Sequence, residues 1–162
     1  MCIETVSDNN QIEIIEALAD EIWHEHFTPI IGKAQVDYML AKFQSKKAIA
    51  EQVKNGFLYF LIKRNDKPVG YIGVQPKESQ LFLSKLYITS AERGRGLGRK
   101  AIVSVEKLAR DLGASKISLT VNRYNLDTIE AYKRFGFQIT GSLVQDIGNG
   151  FVMDDYRMEK HT

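Results

Sequence analysis

The sequence predicts an α+β fold, an α/β sandwich whose central sheet is mixed, mostly antiparallel and flanked by helices. Three patterns carry that prediction. Apolar residues recur at spacings of three and four through the first 56 residues. Aromatic and β-branched runs of strand length take over after Gly56 as an antiparallel meander. Beyond the third such run the order becomes helix, strand, helix, strand, strand. With 162 residues, 44% hydrophobic and 26% charged, the chain can bury one sizeable core and is not a disordered tail. It shows no internal repeat, low-complexity segment or linker, so residues 1–162 are expected to form a single domain, helical over 1–56 and sheet-forming over 57–162.

Ile12, Ile15, Leu18, Ala19, Ile22, Trp23 and His26 mark an amphipathic helix over residues 9–26, with Asp8 and Gln11 spaced as a capping box. Pro29 and Gly32 are expected to break it. A second helix is marked by Val36, Met39, Leu40 and Phe43, and a third by Ala48, Ile49 and Val53, with Asn55-Gly56 as its stop. Phe57–Ile62 and Val69–Val74 read as hairpin partners across Asn65-Asp-Lys-Pro68, and Leu81–Ile88 as the next strand. From Gly98, the residues Ala101, Ile102, Val105, Leu108, Ala109 and Leu112 form a helical stripe that stops at Gly113. Lys116–Val121 is a strand, Thr128–Phe135 a short helix closed by Gly136, and Phe137–Thr140 the start of a strand. Gly148-Asn-Gly150 signals a hairpin between the last two strand-like runs.

A net charge of +2 gives no electrostatic footprint for nucleic acid. The single cysteine, Cys2, lies near a terminus expected to be mobile, which excludes an internal disulfide and disfavours a thiolate metal site. His24 and His26 are two residues apart and so point to different sides of a helix, and no metal centre is expected there. No window reaches the ~18 apolar residues of a membrane span and no leader pattern opens the chain. A cytoplasmic protein without a membrane partner, either monomer or homodimer, is expected.

Basic residues concentrate in one place. Ala91-Glu-Arg-Gly-Arg-Gly-Leu-Gly-Arg-Lys-Ala101 carries three glycines and four cations at the start of a predicted helix. A P-loop would need Gly-Lys-Ser/Thr, and here Gly98 is followed by Arg99-Lys100-Ala101. Gly96-Leu-Gly98-Arg-Lys-Ala101 fits a dinucleotide fingerprint locally, but the strand at 116–121 lacks the acidic residue that would hold a ribose. What remains is an anion cradle. Glycines let several N–H groups converge, the helix N-terminus adds its positive dipole end, and Arg95, Arg99 and Lys100 add charge at the rim.

With these residues in place the sequence resembles the GNAT superfamily of N-acetyltransferases. Arg93-x-x-Gly96-x-Gly98 matches the superfamily's acetyl-coenzyme A signature, and Asn125-x-x-Thr-Ile-Glu-Ala-Tyr132-x-x-x-Gly136-Phe137 matches its second motif, with Thr128 where alanine is usual. The resemblance covers about residues 57–159, and the N-terminal helices fit the variable substrate region. It implies a GNAT-like sheet and direct transfer of an acetyl group from acetyl-coenzyme A to an amine. The pyrophosphate would lie on Arg93, Gly94, Arg95, Gly96, Leu97, Gly98 and Arg99, and the pantetheine arm would pair with Leu86, Tyr87 and Ile88 and contact Asn125. Tyr132 would protonate the leaving thiolate.

The acceptor expected from this resemblance is a small primary amine, with a polyamine-like one among the candidates. Trp23, Glu25, His26 and Tyr38, with Phe27 and Phe43, offer aromatic walls and a carboxylate for a cation. An alkylammonium of pKa about 10 must lose a proton to react, and Glu25, His26, Asp154 and Asp155 are the candidate bases. Acetylation of a protein or peptide amine, a non-catalytic acyl-coenzyme A sensor, and a nicotinamide enzyme built on Gly96–Ala101 stand as rivals.

Overall fold

The computed structural model describes residues 1–162. Its elements are β1 (Cys2–Thr5), α1 (Asn9–Ile31), α2 (Lys33–Phe43), α3 (Lys46–Lys54), β2 (Leu58–Arg64), β3 (Lys67–Lys77), β4 (Gln80–Ile88), α4 (Leu97–Asp111), β5 (Lys116–Asn122), α5 (Leu126–Arg134), β6 (Gln138–Gly148) and β7 (Phe151–His161), with one 3₁₀ turn at Ser90–Glu92. Seven strands form one sheet in the order β1-β2-β3-β4-β5-β7-β6. The β4–β5 pairing is parallel, whereas β1–β2, β2–β3, β5–β7 and β6–β7 are antiparallel. This is the mixed, mostly antiparallel sheet with helices that the sequence predicts.

The chain packs as two compact units, Met1–Gln75 with Lys85–Ala101, and Pro76–Ser84 with Ile102–Thr162. In the first, the Asp8 carboxylate accepts from the Gln11 amide N–H at 2.8 Å while Gln11 Oε1 accepts from the Asp8 N–H at 3.1 Å. The expected capping box is therefore built, and it starts a helix whose apolar stripe, from Ile12 through Ile22 to Phe27, is buried. Each such aliphatic side chain contributes about 1.5–3 kcal/mol on burial. Two expectations are corrected here. Pro29 does not end α1, which continues to Ile31. Its ring already has helical φ and costs a single bond near the end of a long helix; Gly32, at φ 85°, makes the stop. Cys2 is not in a loose terminus but in β1, exposed and opposite Lys63 of β2.

β2 and β3 join through Asn65 and Asp66, both in left-handed conformation (φ 53° and 63°), as a two-residue hairpin turn requires. Pro68 lies in β3 opposite Lys63, where the register shifts between Ile62 and Lys63. The irregularity accommodates a residue with no N–H to give.

In the second unit Gln80–Phe82 of β4 pair with Lys116–Ser118 of β5. Ile102, Val105 and Ala109 of α4 are buried as the stripe predicts, but Leu112 lies beyond the helix and is exposed. Gly113 ends the helix at φ 75°, one residue later than Leu112. Lys160 of β7 holds the Glu106 carboxylate at 2.5 Å and the Phe135 carbonyl at 2.7 Å, tying α4 and the end of α5 to the sheet. Asn149 and Gly150, at φ 55° and 79°, turn β6 into β7. Both strands run eleven residues, longer than their sequence signals.

Candidate functional site

The basic glycine segment folds as a tight passage between the 3₁₀ turn and α4. Gly94 and Gly96 take φ 77° and 78°, and nothing lies within 4 Å of where a side chain would stand at either. The glycines are thus required by backbone conformation, and the space before them is open. Buried Leu97 anchors the first turn of α4, while Arg93, Arg95, Arg99 and Lys100 are exposed. Arg93 Nε donates to the Ile88 carbonyl at 3.2 Å, which closes the loop onto the end of β4. Glu92 takes Arg64 at 2.8 Å and approaches Arg95 at 3.7 Å, so one arginine of the cluster has part of its charge balanced.

Leu86, Tyr87 and Ile88 form the half-buried end of β4. Thr89 donates its N–H to the Val69 carbonyl at 2.8 Å, and a Cβ on Gly70 would collide with the Tyr87 carbonyl. Tyr87 meets Trp23 edge-on at 5.6 Å between ring centroids and Phe27 at 6.0 Å; Trp23 and Phe27 lie 4.4 Å apart. His26 stands edge-on to Phe27 at 4.8 Å. The structure therefore gathers Trp23, His26 and Phe27 beside the strand assigned to the thioester. It does not bring Glu25 there: that carboxylate is exposed on the far side of α1 from buried Trp23. Tyr38 lies on α2, where the Lys42 ammonium is 5.5 Å from its ring and 5.4 Å from that of Phe43.

His24 is held by two acids. Its Nε2 lies 2.6 Å from Asp37 Oδ1 and its Nδ1 2.9 Å from the Asp20 carbonyl, and these contacts raise its pKa, the Asp37 bond most. A hollow of about 410 Å³ between α1 and the α2–α3 turn is lined by Glu13, Glu16 and Asp20 among others. Lys46 already occupies its acidic rim, with Nζ 2.6 Å from Glu13 and its N–H 2.5 Å from Glu16.

Periodicity alone does not single out Lys85. It follows Leu81 and Leu83 on the inward face of β4 and is 5% exposed. Its Nζ donates to the Phe43 carbonyl at 2.9 Å and to Gln52 Oε1 at 2.8 Å, and it is hydrogen-bonded to the Tyr59 hydroxyl. Burial brings its pKa down to about 7. A cation at an inward strand position was the available signal, although its partners come from three distant segments.

In the second unit Tyr132 is buried on α5, with its ring edge-on to Phe137 at 5.4 Å and to Phe135 at 6.4 Å. Burial holds its phenol above the ordinary tyrosine range. Asn125 occupies the N-cap position of α5 without a side-chain cap bond, and it is buried. Asp154 Oδ1 lies 2.7 Å from Arg123 Nε, out of hydrogen-bonding alignment, so the contact is ionic. Its neighbour Asp155 is 3% exposed, and its pKa is pushed up to about 6, by burial first and by Asp154 second, against a Thr120 hydrogen bond. Among the four candidate bases Asp155 is the buried one, and its acidity is moved toward neutral pH.

The acetyltransferase (GNAT) family model matches residues 15–137. The chain is 26% identical over 130 residues to human N-acetyltransferase 8, covering 76% of this chain and 53% of that protein. It is 32% identical over 68 residues to the spermine/spermidine N(1)-acetyltransferase of Bacillus subtilis, 41% of this chain and 45% of that one. The matched region thus spans about half the length of these curated relatives. In structure the chain is similar to the PaiA N-acetyltransferase of Thermoplasma acidophilum in complex with coenzyme A, with a TM-score of 0.81, 20% identity and full coverage of both chains.

Proposed function

The chain belongs to the acetyltransferase (GNAT) family, and from that premise we propose that it moves an acetyl group from acetyl-coenzyme A directly to the primary amine of a small molecule. The observation that carries this reading is the paired left-handed glycines, Gly94 and Gly96, with open space above them at the N-terminus of the fifteen-residue helix α4. Converging N–H groups and exposed Arg93, Arg95 and Arg99 make that loop a seat for a pyrophosphate, with Leu97 and Gly98 beginning the helix behind it. Residues 1–162 act as one acetyltransferase domain in this reading.

The backbone of Leu86, Tyr87 and Ile88 pairs with the pantetheine arm, and an N–H there polarises the thioester carbonyl. Asn125 contacts the arm's amide. The amine reacts as the neutral base, its nitrogen bonding to the acetyl carbon while the carbon–sulfur bond breaks. Tyr132, kept protonated by burial, gives its proton to the leaving thiolate. Asp155, with its raised pKa, is the carboxylate that takes the ammonium proton. Trp23 and His26 supply the aromatic side of the amine pocket, and Tyr38 of α2 belongs to its outer surface. Similarity to a spermine/spermidine acetyltransferase supports a polyamine-like acceptor.

Calorimetric titration with coenzyme A, acetyl-coenzyme A and NAD tests the cofactor, and thiol release with spermidine, butylamine, lysine and a lysine peptide tests the acceptor. Binding of acetyl-coenzyme A without turnover would favour a sensor. Reaction with the peptide alone would overturn the small-molecule assignment.

A further inference from the structure

Lys85 poses a question that packing does not answer. An apolar residue in its place would fill the inward face of β4 without the cost of burying an amine. What lysine adds is direction, because its hydrogen bonds are aimed. One goes to the Phe43 carbonyl, the last residue of α2, where exposed carbonyls and the negative dipole end favour a cation. Another goes to Gln52 of α3, and the third joins Tyr59 of β2. Gln52 closes the group by donating to the same Phe43 carbonyl at 3.1 Å and accepting from the Tyr59 hydroxyl. Beside it Tyr71 of β3 donates to Gln44, just past the end of α2, at 2.9 Å. Nζ thus has three hydrogen-bond partners, and none of them is a carboxylate.

We propose that Lys85 is a positioning residue for the amine acceptor: it pins the ends of α2 and α3 to the strand whose next three residues hold the thioester. The assignment rests on the acetyl-transfer reading above. Helices α2 and α3 also meet α1 and one another, and the Phe43–Gln52–Lys85 node ties their facing ends to β4. The phosphate loop is held by different contacts, from Arg93 to Ile88, from Arg64 to Glu92, and through Leu97. Loosening the node therefore misplaces the helices against the thioester strand and leaves the coenzyme seat in place. The expected signature is a defect in the KM of the amine with coenzyme A affinity preserved.

The test uses Lys85→Met and Gln52→Met, with a chemical restoration of the amine. Cys2 is the chain's one cysteine, so Lys85→Cys in a Cys2→Ser background carries a unique thiol. Treating it unfolded with 2-bromoethylamine and refolding it rebuilds a lysine-like ammonium. KM is read at saturating acetyl-coenzyme A for the fastest of spermidine, butylamine and lysine, and coenzyme A binding by calorimetry. Both methionine variants are expected to raise the amine KM about tenfold or more with coenzyme A affinity within about threefold, and aminoethylation to restore KM. A folded Lys85→Met with unchanged KM, equal loss of coenzyme A affinity, or a defect that aminoethylation does not reverse overturns the proposal. Should Lys85→Met not fold, Gln52→Met decides by the same criteria. A parent protein that releases no thiol with any amine overturns the acetyl-transfer reading itself.

Discussion

The backbone of Gly70 on β3 lies so close to the Tyr87 carbonyl on β4 that an added Cβ would drive into that oxygen, with Ile88 atoms 3.2 Å away. The obstacle is main chain on both sides, so no rotamer change relieves it. Gly70→Ala should therefore part the two strands at the residues assigned to pantetheine. The expected cost is about 1–3 kcal/mol, the usual range for overpacking, and coenzyme A affinity should fall in whatever protein remains folded. Gly73→Ala is the comparison: there a Cβ meets the Tyr59 ring at 3.0 Å, a side chain with some room to yield. Thermal melts of both variants decide it; equal stability would refute the backbone account.

Gly96 makes a different prediction, since a side chain there meets no atom. Its φ of 78° imposes about 1–2 kcal/mol of strain on an L-residue, and the added methyls of Gly96→Val would stand in the open space assigned to phosphate. Gly113 supplies the control, with φ 75° and open surroundings at the other end of the same helix. Both valine variants should melt alike, while only Gly96→Val should lose coenzyme A affinity, by about tenfold or more. Equal affinities in a calorimetric titration would move the anion site elsewhere.

The same contrast explains what could be read from the chain alone. The Asp8–Gln11 capping box, the Asn55-Gly56 stop, the Gly148–Gly150 hairpin and the Arg93–Gly98 loop are local devices, in which a residue type meets a need of its own backbone. β1 escaped notice because four residues, half of them exposed, carry no period, and their partner Cys2–Lys63 register spans most of the first unit. Pro29 and Leu112 depart from what their residue types suggest: a proline in a helix's last turns is tolerated, and a leucine after the last turn lies exposed. Lys85 and Asp155 depend on neighbours far apart in sequence. Their burial follows from Phe43, Gln52 and Tyr59 in one case, and from Thr120 and the sheet in the other.

Tyr132→Phe separates the ring from the hydroxyl. The ring packs on Phe135 and Phe137, so phenylalanine should preserve stability to within about 1 kcal/mol. The phenol stays protonated across the working range because burial raises its pKa, as a proton donor requires. Turnover should fall by about 10²–10⁴ with coenzyme A affinity little changed. Single-turnover measurements avoid masking by product release. A full-rate chemical step in the variant would remove Tyr132 from the reaction.

His24 links α1 to α2 through Asp37, which Lys33 also holds at 2.7 Å. Its pKa is raised from 6.5, so the charged form is the one the fold favours. The resulting stability is fully present below the unfolded-state value and disappears as pH rises through the folded one. Parent protein should thus exceed His24→Asn in melting temperature by most near pH about 5.5, and by least near about 8.5. Added salt should shrink the gap, because the pair is partly solvent-exposed. A gap that grows with pH would reverse the sign and refute the ion-pair account.

Asp155 carries the opposite charge, yet its raised pKa gives stability the same direction of change with pH. Its pKa rises from 3.8 to about 6, so between those values the folded protein keeps a proton that the unfolded chain has lost. Folded stability must then decline as pH rises through that window, by up to about 1.4 kcal/mol per unit, and level off above it. Asparagine has the same shape, can still accept from Thr120, and does not ionise. The stability of Asp155→Asn relative to parent should therefore increase from pH about 4 to about 7, read by denaturant melts at each pH. Catalysis gives a separate measure. If Asp155 takes the ammonium proton, kcat/KM of the parent falls off on the acid side near pH 6, and the variant is slower and lacks that limb. A variant that shows the stability slope yet keeps the parent's acid limb leaves Asp155 as a buried carboxyl of the β5–β7 pair and returns the base to another group.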